Sequence, residues 1–168
     1  PDKDGHYEDI VLGYNNIDNY INNPGERFLG AVVGPYANRI AGGTYTIGEE
    51  TYNFPQNNNG QTLHGGLIGL DMVVWNVEKV TDSSIVLSYL RPDGQEGMPG
   101  NLNILMTYTL TPENEFRIDY VAETDKATHV NISHHSFFNL KGEGNGTITD
   151  NVMVINASHT TPVDSFLI

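Results

Sequence analysis

Two adjacent histidines, His134 and His135, stand inside Asn131-Ile-Ser-His-His-Ser-Phe-Phe-Asn-Leu140, a run that otherwise reads as a buried β-strand. Imidazole titrates near neutrality, so a histidine facing a cleft is a candidate proton donor. Successive side chains on a strand point to opposite faces. Asn131, Ser133 and His135 therefore share one face, and Ile132, His134 and Ser136 the other. His135 keeps polar company, as a cleft-facing acid would. A core histidine satisfied by a neighbouring carbonyl would give the same pattern.

Two further segments break the apolar pattern with polar groups. In Gly34-Pro-Tyr-Ala-Asn-Arg-Ile-Ala-Gly-Gly43, Asn38 and Arg39 sit between glycines and apolar residues. A guanidinium fork on such a loop can hold sugar hydroxyls, and an arginine that merely ties the loop to carbonyls fits equally well. Leu63-His-Gly-Gly66 follows the polar run Gln56-Asn-Asn-Asn-Gly-Gln61. Its paired glycines allow close backbone approach and leave His64 accessible, although an unimportant turn histidine is the commoner case.

Metal and hydrolase chemistry find little support in the spacing. There are six histidines, but six residues of regular strand between His129 and His135 is roughly 20 Å, too far for one ion, and His134 points away. No metal site and no cofactor are expected. A Gly-x-Ser-x-Gly nucleophile elbow does not occur.

The elements that must position these residues are strands. Period-two alternation dominates from about residue 44, and no long segment carries a helical stripe, so the expected class is all-β. Thr44–Ile47 and Tyr52–Phe54 read as a hairpin around a turn at Gly48–Thr51. Ser84–Leu90 is a strand ended by Pro92-Asp-Gly94. From Asn101 to Leu110, alternation puts Leu102, Ile104, Met106, Tyr108 and Leu110 on one face; Thr111-Pro-Glu-Asn114 turns the chain before Phe116, Ile118 and Tyr120 resume it. Val152–Ile155 reads as another strand, Asn22–Gly25 as a turn, and Asp18–Ile21 as a short helical turn.

Charge narrows the ligand. With 8 Lys plus Arg against 21 Asp plus Glu, the formal charge is −13, and the basic residues are scattered. Nucleic acid is not an expected partner, and long-range repulsion of anions favours a neutral small molecule. No apolar stretch reaches membrane-spanning length, so no membrane partner is expected. The chain has no cysteine, hence no disulfide framework or thiolate site. The compartment stays open, with the cytoplasm favoured over a periplasmic or secreted location.

Taken in order, Gly34-Pro-Tyr-Ala-Asn-Arg-Ile40, Leu63-His-Gly-Gly66, Trp75, Asp93-Gly-Gln-Glu-Gly-Met-Pro-Gly100 and Asn131–Leu140 resemble the aldose 1-epimerase (galactose mutarotase) family. The resemblance runs from about Ile10 to the last residue. It implies a large, twisted, antiparallel β-sandwich and the interconversion of α and β anomers of a free hexose. In the family a histidine protonates the ring oxygen while a glutamate takes the C1 hydroxyl proton; the ring opens, the C1–C2 bond rotates, and the ring recloses.

Matched residue by residue, the resemblance makes His135 the general acid, His64 a second histidine that binds and polarises substrate, and Asn38 and Arg39 the pair holding sugar hydroxyls. The chain departs at His134, usually Asn in the family, and at Phe137, often Tyr. Its last stretch, Thr160–Ile168, resembles the segment leading to the family's second half, which carries a substrate-binding aspartate and the glutamate base. Glu123, Glu143 and Asp150 match neither motif. The expectation is that residues 1–168 are part of a single domain whose remaining strands, with the base, lie beyond Ile168, the missing half acting as partner. Alone, the segment should be inactive and expose sheet edges that favour association. Two alternatives are a non-catalytic carbohydrate-binding β-sandwich and an epimerase-like protein acting on hexose 6-phosphates, which should show extra basic residues.

Overall fold

The computed structural model describes residues 2–22 and 25–168. Its strands are β1 (Ala31–Val33), β2 (Arg39–Ile40), β3 (Thr44–Ile47), β4 (Glu50–Asn53), β5 (Thr62–Leu63), β6 (Asn76–Val80), β7 (Ser84–Arg91), β8 (Leu102–Leu110), β9 (Phe116–Thr124) and β10 (Ser133–His135), with one short helix, α1 (Ile17–Asn22). The paired strands are all antiparallel: a four-stranded meander β6-β7-β8-β9 and the two-stranded pairs β1-β10, β2-β5 and β3-β4.

The meander is built by alternation. On β8, Leu102, Ile104 and Met106 are at most 1% exposed while Asn103 and Leu105 between them are exposed. Met106 lies opposite Leu87 of β7 and Tyr120 of β9, which makes an apolar row across the sheet. Val32 of β1, Leu70 and, less deeply, Ile132 and Trp75 close over that face, forming a second layer. Each fully buried aliphatic side chain contributes about 1.5–3 kcal/mol. A smaller cluster of Ile40, Phe54 and Met98, flanked by Tyr36, Tyr45 and Tyr52, lies under the β3-β4 hairpin.

The expected all-β class holds, and most of the long strands fall where alternation places them. Four details differ. The hairpin turn is tighter than expected: Ile47 pairs with Glu50, leaving Gly48 and Glu49 as the loop, with Gly48 at φ 61° as primed turns require. β6 carries no period-two signal because a bulge between Val77 and Lys79 shifts its register. The run from Asn131 to Leu140 is strand only at Ser133–His135, where Ser133 is exposed and the two histidines are half-buried, with single bridges at Asn131 and Phe138. Val152–Ile155 is not a strand: its four side chains are 70–89% exposed and pair with no described residue, and an apolar run without a ladder partner has nothing to hold it extended. The helical turn expected at Asp18–Ile21 is α1. Of the turn expected at Asn22–Gly25, Asn23 and Pro24 lie outside the described residues.

Candidate active site

β2 and β5 pair Arg39 with Leu63, which sets the residues just outside the ladder, Asn38 and His64, against each other. The backbone N–H of His64 donates to the Asn38 carbonyl at 3.1 Å, and that of Asn38 donates to His64 Nδ1 at 3.0 Å. Both residues are left-handed, at φ 64° and 53°, so each loop reverses sharply to make these bonds. The following turn needs glycine: Gly65 is at φ 92°, and a Cβ there would strike the Gly34 carbonyl.

Because Nδ1 accepts a hydrogen bond, it carries no proton, and the neutral ring holds its proton on Nε2. Burial pushes the His64 pKa down to about 4, and the neighbouring His135 and Arg39 push it the same way. His64 is thus a neutral hydrogen-bond donor at pH 7, suited to polarising an oxygen rather than delivering a proton from a charged ring.

His135 arrives from β10, held against β1 by pairing with Ala31. Its ring centroid lies 5.1 Å from that of His64, edge to face. Phe28 touches both, 4.6 Å from His64 and 5.8 Å from His135, and Phe137 lies 5.0 Å from His135. His134 faces the other way, against Tyr108 at 5.5 Å and Phe116 at 5.9 Å, with Nδ1 2.6 Å from Ser136 Oγ. Burial lowers its pKa, and it lines an apolar trough of about 780 Å³ with Val11, Leu110 and Phe138. Strand alternation thus sends the two neighbouring histidines to different environments.

Arg39 is half-buried and donates from Nε to Asn58 Oδ1 at 3.0 Å and from Nη1 to Asn38 Oδ1 at 3.1 Å. Neutral oxygens orient it, so its charge is not cancelled by a carboxylate among the described residues. Asn38, Arg39, His64 and His135 are therefore one cluster assembled from three segments. None of the four lines the 780 Å³ trough or the 300 Å³ one beside Trp75. His129, by contrast, packs edge to face on Tyr45 at 4.6 Å.

Phe28 gave no signal in the sequence, being a lone aromatic outside any alternating run. Arg91 was equally silent; it is 2% exposed and donates to the carbonyls of Pro92, Gln95, Met98, Pro99 and Gly100. Both Nη groups are satisfied by the loop that wraps them, while Nε has no partner among the described residues, and a buried cation held this way organises that loop. Its sequence trace is only a charged residue at the end of a strand.

The antiparallel layers and the histidine cluster on strand ends place the chain among β-sheet proteins that carry a polar site on the loops between strands. The sequence profile described as Aldose 1-epimerase matches residues 1–168, and the chain belongs to that family. It is 41% identical to galactose mutarotase of Mus musculus over 99% of this chain and 48% of the mouse protein, and 35% identical to aldose 1-epimerase of Escherichia coli over 98% and 46%. Among solved structures, the GalM/aldose epimerase homologue from C. elegans is similar with a TM-score of 0.77 and 33% identity, covering 84% of this chain and 43% of that one. Galactose 1-epimerase from Lactobacillus acidophilus NCFM gives 0.70 and 34%, over 79% and 40%. The chain spans about half the length of the curated relatives it matches.

Proposed function

We propose that the protein containing this chain is an aldose 1-epimerase that interconverts the α and β anomers of a free hexose such as galactose or glucose. The observation that carries this reading is the His64–His135 pair, 5.1 Å apart, flanked by the Asn38–Arg39 loop. In this mechanism Arg39 and Asn38 hold sugar hydroxyls, and Nε2–H of His64 donates to an oxygen of the pyranose. His135 delivers a proton to the ring oxygen as the C1–O5 bond breaks. A base removes the C1 hydroxyl proton, generating the open-chain aldehyde. Rotation about C1–C2 and reversal of both transfers close the ring on the other face. We assign the base to no residue of this chain, which spans about half the length of the relatives it matches; a glutamate is the base that the family resemblance implies.

In the complete protein, His135→Ala should slow mutarotation by about 10²–10⁴-fold, the usual contribution of a positioned acid. Polarimetry on freshly dissolved α-galactose reads this directly, and equal rates for wild type and variant would remove His135 from the reaction. A sugar-binding module without turnover would instead bind galactose and leave the spontaneous rate unchanged.

A further inference from the structure

The turn after His64 is gripped more firmly than a four-residue loop needs. On its near side, Asn57 Oδ1 accepts from the Leu63 N–H at 2.7 Å, and Asn57 Nδ2 donates to the carbonyls of Leu63 and Gly66 at 3.0 and 2.9 Å. On its far side the Leu67 residue is held by both backbone groups. Its N–H donates to Glu96 Oε2 at 2.6 Å, and its carbonyl accepts from Arg27 Nη2 at 3.0 Å. Arg27 is fixed by two bonds to Asp71, whose side chain is 2% exposed, and it lies 5.0 Å from the Phe28 ring centre.

Glu96 makes this bond from a backbone at φ 53°, a region that non-glycine residues seldom enter. The loop around it is pinned by Arg91, and Gly66 sits at φ 98°, which favours glycine, where a Cβ would also displace the Glu96 carboxylate. Two segments thus combine an unusual backbone, a bare glycine and a buried arginine where one carboxylate meets one amide. That amide lies three residues past His64, in a turn rich in glycine that would otherwise sample many conformations.

We propose that Glu96 is a positioning residue for His64: its carboxylate, working with Arg27 on the same residue, holds the Leu63–Leu67 turn so that His64 keeps its bond to Asn38 and faces His135. This rests on the mutarotase reading for its kinetic consequence but not for its structural one. The bond matters because the ring must present Nε2–H in one place; a displaced donor loses much of its effect on a reacting oxygen.

The test compares Glu96→Ala with Glu96→Gln in the complete protein. Nitrogen-15 NMR of the imidazoles reports the His64 tautomer without reference to activity. In wild type and in Glu96→Gln, which keeps an acceptor oxygen for Leu67, His64 Nδ1 should read as unprotonated and hydrogen-bonded. In Glu96→Ala it should shift toward a mixture of tautomers, and kcat/KM for galactose should fall by about tenfold or more while Glu96→Gln stays within about twofold. Wild-type His64 resonances and kcat/KM in Glu96→Ala would overturn the proposal, as would equal impairment of the two variants. Should the wild type show no mutarotation, the functional reading fails, and the nitrogen resonances alone decide the role of Glu96.

Discussion

Lowering the pH should destabilise this protein through His64, in a window the structure defines. The ordinary imidazole value is 6.5, and burial, reinforced by His135 and Arg39, brings His64 to about 4. The folded state therefore binds the His64 proton more weakly than the unfolded state does. By linkage, the contribution is absent above pH 6.5, grows as pH falls from 6.5 toward 4, and levels off below about 4, where both states are protonated. The full difference corresponds to at most ~3.4 kcal/mol. Partial exposure of the ring to solvent reduces this to about 1–2 kcal/mol. Carboxylates lose stability over part of the same range, so the measurement is a difference: urea unfolding of wild type and His64→Gln at pH 7.5 and pH 4.5. Wild type should lose about 1–2 kcal/mol more than the variant between the two values. NMR titration of the His64 Cε1–H should show a midpoint well below that of a free imidazole. A midpoint at or above 6.5, or identical pH dependence in the two proteins, would refute the argument that this ring is held neutral by its surroundings.

His134→Asn should leave mutarotation by the complete protein within about threefold of wild type, because the side chain packs on Tyr108 and Phe116 on the far face of β10. A loss comparable to that of His135→Ala would mean that the alternation argument assigned the faces wrongly. Arg91→Met should cost at least ~3 kcal/mol in denaturant unfolding, since the carbonyls of Met98, Pro99 and Gly100 would lose donors at 2.9, 3.0 and 2.7 Å in a buried place. A change under 1 kcal/mol would show that the 92–100 loop closes by other means.

The family resemblance and the alternation in the sequence reach the same fold from different sides, and their agreement is informative where each is weak. Motifs that individually match by chance gain weight because the structure gathers three of them, the loops holding Arg39 and His64 and the strand holding His135, at one place. The motif containing Asp93–Gly100 does not enter that cluster directly. It touches the turn that follows His64, through Glu96 on the Leu67 N–H.

By itself the sequence determined what local periodicity can carry. The meander from Ser84 to Thr124 was legible because apolar side chains alternate along it, on a face that is fully buried in β8 and partly buried in β9. The opposition of His134 and His135 was legible for the same reason: pleating alone separates neighbours. Short strands such as β1, β2 and β5 were not legible, since two or three residues hold no period, and β6 hid behind its bulge. Val152–Ile155 misled, because apolar residues permit a strand while only a partner's hydrogen bonds make one. Only the tertiary structure decided that His64 meets His135 with Phe28 between them, that Asn38 selects the His64 tautomer, and that Glu96 and Arg27 hold one residue from opposite sides. Those arrangements join segments far apart in the chain, and their energy lies in packing and hydrogen bonds that form only after the strands have paired, so no local pattern needs to record them.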